Sequence, residues 1–149
     1  QLAGNDAPIH VGNFVELAQK GFYDGLKFHR YVPGFVIQGG CPNTREMSAA
    51  DVAAGKSGPD GMPGTGNPGY SIKGEWKTNP NNSHEDGTLA MARSSMPDSA
   101  GSQFYFCLGP QHFLDTDYTV FGDTIEGIDV IGKLRAGSII ENITIENAD

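Results

Sequence analysis

Apolar residues near the start of the chain recur at the spacing of an α-helix. Along DAPIHVGNFVELAQKG, positions i, i+3, i+4 and i+7 are held by Val11, Phe14, Val15 and Ala18. This spacing places one apolar stripe on the face of a helix. Asp6 is positioned to cap that helix, while Pro8 suits its first turn and Gly21 its end. Similar spacing predicts a second helix in IEGIDVIGKLRAG, and SAADVAAG is a shorter helical candidate.

Several other short segments have the length and composition of β-strands. They are KFHRY, FVIQ, GTLAMAR, SQFYFCL, TVFG and ENITIENA. A Pro-Gly turn joins the first two into a hairpin, and apolar and polar residues alternate in the last. The strands are not interleaved with helices one by one. The pattern therefore predicts a closed or nearly closed antiparallel barrel with flanking helices, not a doubly wound sheet.

Composition agrees with one mainly β domain over residues 1–149. The chain is 38% hydrophobic, contains 21 glycines and 9 prolines, and has no internal repeat or linker. Its length is enough to bury a core, and its turn residues are many. A formal charge of −8 argues against nucleic-acid binding, which needs a basic face. No apolar run near 18 residues and no signal pattern predicts a membrane segment, so no membrane partner is expected.

Motifs for cofactors, metals and nucleophiles lack the context that their chemistry needs. GTGNPG at 64–69 fits G-x-G-x-x-G, but Pro68 and the surrounding Gly/Pro-rich loop exclude the strand and helix of a dinucleotide site. The four histidines form no metal-binding spacing, and no serine stands in G-x-S-x-G. We therefore predict no cofactor and no metal. Cys107 has the pattern of a buried thiol, whereas a redox role for Cys41 is left open.

Strand alternation indicates which polar side chains lie on the same strand face as apolar or aromatic residues. Arg30 shares a strand face with Phe28, Gln38 shares one with Val36, and Gln103 shares one with Tyr105. If Arg30, Gln38 and Gln103 converge, they form an apolar shelf with fixed hydrogen-bond donors and no general base. Such a site suits rotation about an X–Pro bond, whose barrier comes from amide resonance.

A simpler interpretation stays open on these residues alone. An arginine on a strand is usually a solvated surface charge, and aromatic residues in strands are usually core. The two glutamines could also bond only to backbone groups.

Four segments resemble one known family. FHRYVPGFVIQGG, GTLAMAR, AGSQFYFC and FLDTDYTVFGDTIEGIDVI are similar to the cyclophilin family of peptidyl-prolyl cis–trans isomerases, from about Asp6 to the C-terminus. The resemblance implies a closed eight-stranded antiparallel β-barrel capped by two α-helices, with a proline-binding groove on its outside.

The resemblance also implies roles for individual residues. Arg30 matches the family's catalytic arginine, and Gln38 and Gln103 are grouped with it as catalytic. Substrate binding is expected from the matching groove residues, which are Phe35, Val36, Ala92, Arg93, Ser94, Tyr105, Phe113, Leu114 and Tyr118.

The chain departs from the family pattern at several places. The family often has Trp where Phe113 stands, which predicts weak binding of the inhibitor cyclosporin. Residues 45–63 form a loop insertion that could shape a second pocket or be inert, and we expect it to be inert. Only QLAGN precedes the first helix, so the first strand of the barrel is expected to be missing from this chain.

The sequence thus predicts an isomerase of X–Pro bonds in peptides and unfolded proteins that assists protein folding. We expect it to act as a monomer in the cytoplasm, on proline-containing peptides and unfolded clients. Two other functions stay open: a module that only binds proline-containing segments, and a structural or assembly subunit. Intact Arg30 and Gln103 favour the enzyme, because a pure binder needs neither.

Overall fold

The computed structural model describes residues 1–147 and is built around one antiparallel sheet. Its strands are β1 (Arg30–Val32), β2 (Val36–Gly39), β3 (Thr88–Met91), β4 (Phe104–Cys107) and β5 (Val120–Asp123). They are ordered β1-β2-β4-β3-β5 across the sheet. The α-helices are α1 (Pro8–Gln19), α2 (Ala49–Ala53) and α3 (Ile128–Ile131), and two 3-10 turns span Pro42–Thr44 and His112–Leu114.

The predicted hairpin is confirmed. The turn between β1 and β2 contains Gly34 with a φ of 70°, a conformation that favours glycine. Arg30 pairs with Gln38 and Val32 with Val36 across the hairpin. The strands predicted in GTLAMAR, SQFYFCL and TVFG are also present, as β3, β4 and β5.

The sheet is not closed, so the eight-stranded barrel is not confirmed. Residues 1–3 extend the β5 edge, where the Ala3 amide donates to the Phe121 carbonyl at 2.8 Å. Residues 25–28 meet 137–140, where the Ile140 amide donates to the Leu26 carbonyl at 2.8 Å. Each contact is a single bridge and not a strand ladder. An apolar groove of about 600 Å³ lies between these two contacts. Phe28, Phe106 and Ile143 are among the residues that line it.

The final predicted strand is wrong for residues 141–147, which are irregular; its last residue, Ala148, lies outside the described residues. Ile143 and Ile145 do pack against the core. Their alternation therefore marked a buried face correctly, but alternation does not say whether a neighbouring strand lies within hydrogen-bonding reach.

Helix α1 starts as predicted, but Asp6 does not cap it. Ala7 is the N-cap residue and offers no side-chain hydrogen bond. The carboxylate of Glu75 accepts from the Ile9 amide at 3.1 Å and from the His10 amide at 2.8 Å instead. The buried face of the helix is also rotated from the predicted stripe and consists of His10, Asn13, Phe14, Leu17 and Ala18.

The second predicted helix is much shorter than its pattern, because only Ile128–Ile131 are helical and none of them is buried. Residues 45–63 contain the predicted short helix as α2, whose first turn is capped by the Ser48 hydroxyl accepting from the Asp51 amide at 3.1 Å. Among residues 1–147, no helix has both the length and the apolarity needed to span a membrane.

Two apolar clusters lie on opposite faces of the sheet. The larger one contains Phe14 of α1 together with Ile37, Leu89, Phe104 and Phe121. The smaller one is on the other face and consists of Val36, Ala90, Tyr105, Cys107, Leu114 and Val120. Phe35, Ala92 and Tyr118 pack beside it. The smaller cluster forms the floor of the candidate site.

Candidate functional site

Strand register places the predicted polar residues in one row across the sheet. Arg30 pairs with Gln38, Gln38 with Tyr105, and Tyr105 with Ala90. Directly paired residues on neighbouring strands point to the same face. The row therefore lies on the face that carries the smaller apolar cluster, and four strands contribute to it.

The row borders a surface groove of about 420 Å³. Nine of the predicted site residues line it: Arg30, Phe35, Val36, Gln38, Ala92, Arg93, Tyr105, Leu114 and Tyr118. Gln103 and Ser94 line an adjoining pocket of about 670 Å³ that shares Gln38, Ala92 and Arg93 with the groove. Phe113 stands at the rim, where its ring stacks on Phe35 with centroids 5.6 Å apart.

Arg30 presents its guanidinium to solvent beside an aromatic ring. Its Cζ lies 5.6 Å from the centroid of Phe35. Within residues 1–147, no hydrogen bond or ion pair uses the Arg30 side chain. A guanidinium keeps its charge at any working pH, so this side chain offers free donors to a ligand in the groove.

The two predicted glutamines are coupled and fix a wall of the groove. Gln38 Nε2 donates to Gln103 Oε1 at 3.1 Å. Gln103 Nε2 donates in turn to the carbonyls of Gly64 at 3.0 Å and Gly66 at 2.9 Å. The amides of these glycines both donate to Cys41 Sγ at 3.3 Å. The glycine-rich segment that resembles a nucleotide motif is therefore a wall of the site.

Part of the 45–63 segment also belongs to this wall. Its end, at Pro63, lines the groove together with Gly64 and Thr65. Its start is anchored on the opposite side, where Lys27 Nζ donates to the carbonyls of Thr44 at 3.1 Å and Arg45 at 3.0 Å. The expectation that this segment is inert is untested for its middle, while its last residue contacts the site.

Arg93 is embedded in the wall and is not a free charge. Its guanidinium Cζ lies 5.1 Å from the Trp76 ring and 5.0 Å from the Tyr118 ring. Its Nε donates to the Asp117 carbonyl at 2.7 Å. This stack holds Tyr118 against the groove, where the Tyr118 ring also meets Tyr105 edge to face.

His29 also lines the groove, although no sequence pattern selected it. Its Nδ1 is buried and has no hydrogen-bond partner among residues 1–147. Burial, with a further contribution from the charge of Arg30, lowers the pKa of His29 to about 4. The ring is therefore neutral at physiological pH.

Two more residues behind the groove were also missed. His84 is fully buried, and its Nε2 lies 2.8 Å from the Tyr105 hydroxyl. Its Nδ1 lies 2.7 Å from Asp115 Oδ1. No local pattern connects His84 with Asp115, because they are 31 residues apart.

Comparisons with known proteins find relatives over almost the whole chain. The family model described as "Cyclophilin type peptidyl-prolyl cis-trans isomerase/CLD" matches residues 1–149. A peptidyl-prolyl cis-trans isomerase of Helicobacter pylori is 41% identical over 150 residues, which cover 99% of this chain and 80% of that protein. One of Synechococcus elongatus is 44% identical over 147 residues, covering 97% and 86% of the two chains. Peptidyl-prolyl cis-trans isomerase B of Bacillus subtilis is 41% identical over 146 residues, covering 98% and 88%.

Solved structures share the fold. A cyclophilin-type peptidyl-prolyl cis-trans isomerase of Cryptosporidium parvum superposes with a TM-score of 0.73 at 24% identity, covering 99% of this chain and 90% of that one. The same protein in the presence of the dipeptide Ala-Pro gives a TM-score of 0.70 at 23% identity, covering 99% and 91%. The chain therefore belongs to the cyclophilin-type peptidyl-prolyl cis–trans isomerase family, whose reaction it catalyses.

Proposed function

We propose that the groove binds the proline of an X–Pro segment and that Arg30 is the catalytic residue. The observation that carries this proposal is the row Arg30–Gln38–Tyr105, which sets a guanidinium without a partner among residues 1–147 beside an apolar floor. Val36 and Leu114 form part of that floor, and a prolyl ring fits an apolar surface of this kind.

Arg30 can lower the barrier without forming a covalent bond. The barrier of about 18–20 kcal/mol comes from the double-bond character of the amide. When the prolyl nitrogen becomes pyramidal, its lone pair leaves the amide resonance and can accept a hydrogen bond. A guanidinium donor placed at that nitrogen stabilises the twisted state more than the planar one, which is the condition for catalysis. Each 1.36 kcal/mol removed from the barrier gives a tenfold faster rate.

The apolar floor supports the same step. In water, the carbonyl that precedes proline is solvated, and this solvation favours the planar, polarised ground state. Enclosing the carbonyl between the floor and the Phe35–Phe113 stack removes part of that solvent. Gln38 and Gln103 act by holding the wall at Gly64 and Gly66 in place.

The peptide on either side of the proline has a place in the same arrangement. We assign the backbone of Ala92, Arg93 and Ser94 to hydrogen bonds with the extended substrate, because Ala92 and Arg93 line both the groove and the adjoining pocket and Ser94 lines the pocket. The clients are then proline-containing peptides and unfolded protein segments, whose chains are extended and accessible. We further propose that the active form is a monomer and that it is located in the cytoplasm.

The deciding experiment is a coupled isomerase assay on a short X–Pro peptide. Arg30→Ala should lower kcat/KM on the order of a hundredfold, the scale for loss of one donor to a transition state. Arg135→Ala is the matched control, because Arg135 also lies over an aromatic ring, that of Tyr31, but is outside the groove. Circular dichroism confirms that both variants are folded. Full activity in folded Arg30→Ala would refute the catalytic role of Arg30.

The two alternative functions, a module that only binds and an assembly subunit, predict different results for the same purified protein. A module that only binds would hold the peptide without accelerating the slow phase, even in the wild type. An assembly subunit would have a solution mass above that of one chain, which sedimentation measures. Fractionation of the producing cells tests the location.

A further inference from the structure

A buried histidine behind the groove has no part in the chemistry proposed above. His84 is 0% exposed, and its ring lies nearly parallel to that of Tyr105, at an interplanar angle of 13°. Tyr105 is 4% exposed and lines the floor of the groove. A polar ring in this position needs partners for both nitrogens, and it has them.

The partners fix where the protons lie. Asp115 Oδ1 is 2.7 Å from His84 Nδ1 and also accepts from the His84 amide at 2.7 Å. An ionised carboxylate only accepts hydrogen bonds, so Nδ1 carries the proton. Burial, which outweighs the nearby carboxylate, lowers the pKa of His84, so the ring is neutral and Nε2 is an acceptor. The Tyr105 hydroxyl must then donate to Nε2 across 2.8 Å.

Asp115 connects this chain of hydrogen bonds to the wall of the groove. It follows directly after Leu114, which lines the groove, and precedes Tyr118 in the same segment. Asn82 Nδ2 donates to the carbonyls of both Asp115 and Tyr118, at 2.6 and 2.9 Å. A shift of the Asp115 carboxylate therefore moves wall residues, while a shift of the Tyr105 hydroxyl moves the floor.

The charged and titratable groups around His84 come from three elements. Asp115 and His112 lie on the 112–118 segment, with His112 Nδ1 3.1 Å from Asp115 Oδ2. Tyr105 comes from β4, and Glu85, next to His84, lies 3.5 Å from His112 Nε2. Over residues 1–147, no three His, Cys, Asp or Glu side chains converge to hold a metal ion. The cluster is a hydrogen-bonded one that runs from the groove floor to the surface.

We propose that His84 is a positioning residue for substrate binding: its neutral ring, bonded to Tyr105 and Asp115, holds the floor and wall of the proline groove together, and its protonation loosens both. The proposal rests on the groove being the proline site. A protonated ring has a donor at Nε2, so the Tyr105 oxygen must accept that bond, and its own O–H loses its acceptor and turns toward apolar neighbours. A buried donor without an acceptor is unfavourable, so the floor rearranges. Arg30 lies outside this cluster and keeps its charge.

NMR exchange spectroscopy on an Ala-Pro-containing peptide tests the proposal, because it reports the peptide Kd and the catalysed exchange rate separately and needs no coupling protease. Both are followed in the wild type as the pH falls from 7.5, together with the ring signals of His84. The Kd should rise about three- to tenfold, the scale of one lost hydrogen bond, over the pH range in which His84 titrates. The exchange rate of the bound peptide should change much less.

Tyr105→Phe removes only the hydroxyl and should fold, since the ring stays. It should bind the peptide more weakly at pH 7.5 and lose most of the pH dependence of the Kd. Tyr31→Phe is the matched control, because Tyr31 stacks on Arg135 outside the groove, and it should keep the wild-type profile.

Three results would overturn the proposal: a Kd that stays constant while His84 titrates, a His84 ring that stays neutral down to the pH of unfolding, or a Tyr105→Phe profile equal to that of the wild type. Failure of the isomerase mechanism is seen separately, as an absence of catalysed exchange at pH 7.5 in the wild type.

Discussion

The exposed rim residue Phe113 is the position at which we expect the affinity for cyclosporin to be set. Phe113 is 67% exposed, and its only aromatic contact among the described residues is the stack on Phe35. A phenyl ring at this position has no hydrogen-bond donor. The indole of a tryptophan adds both contact area and an N–H group.

Phe113→Trp is therefore expected to bind cyclosporin about tenfold more tightly, a gain of roughly 1.4 kcal/mol. Isothermal titration calorimetry with cyclosporin measures the difference. Ile125→Trp is the control, because Ile125 is 76% exposed and does not line the proline groove. A Phe113→Trp protein with unchanged affinity would contradict the assignment of this rim position.

Single residues differ in how well their position could be predicted. Arg30, Gln38 and Tyr105 lie on strands, where alternation fixes the face and the hairpin turn fixes the register. His84 and Asp115 could not be found this way, because their contact joins a loop to a 3-10 turn. His29 was missed because alternation was carried through residues 28–30, whereas β1 begins only at Arg30. The prediction that Phe28 shares a face with Arg30 is wrong, because Phe28 lies in the larger cluster while His29 lines the groove with Arg30.

At the scale of elements, helix α1 shows where local signals fail. Pro8 marks its start correctly, yet the acidic cap comes from Glu75, which is 65 residues from His10. The Glu75 carboxylate also lies 2.7 Å from His10 Nδ1. A propensity argument sees Asp6 nearby but has no access to a partner brought in by tertiary folding.

Replacing Glu75 tests this long-range cap. Glu75→Gln keeps the shape but removes the charge that three donors of α1 share, so the free energy of unfolding should fall by about 1–3 kcal/mol. Urea unfolding followed by circular dichroism measures the change. Glu16→Gln is the control on the same helix, since Glu16 makes only an exposed pair with Lys20 and should matter by less than about 1 kcal/mol. Equal midpoints for the two variants would argue against the cap.

For the molecule as a whole, burial of three histidines links stability to pH. Burial is the largest cause of the lowered pKa of His10, His29 and His84. In the unfolded chain each ring titrates near 6.5. Between that value and the lower folded pKa, the unfolded state binds more protons, so stability is present above pH 6.5 and is lost as the pH falls.

Thermal unfolding should accordingly show a Tm that falls between pH 7 and pH 4.5. His29→Asn removes one of the three groups, namely the one whose folded pKa is about 4, and should make the decline shallower. A Tm that is constant over this range would show that the three rings are not held neutral by the fold.

The overall architecture was predictable only in part. The antiparallel arrangement of the strands and the mainly β fold class could be predicted, because turn residues are many and the strands are not interleaved with helices one by one. Closure into a barrel depends on whether residues 1–3 and 137–147 come within pairing distance, which no periodicity encodes. The structure leaves an apolar groove between these ends.

Hydrogen bonds connect the two ends of the 45–63 segment, and this connection has a practical consequence for protein engineering. Asn43 Nδ2 donates to the Met62 carbonyl and to the Thr65 hydroxyl, both at 3.0 Å, so the wall of the groove is fixed independently of the chain between. Residues 56–60 lie at the tip of that excursion and are largely exposed. Doubling the length of a flexible loop costs only about 0.6 kcal/mol, so this tip can accept an inserted reporter peptide while the groove keeps its shape.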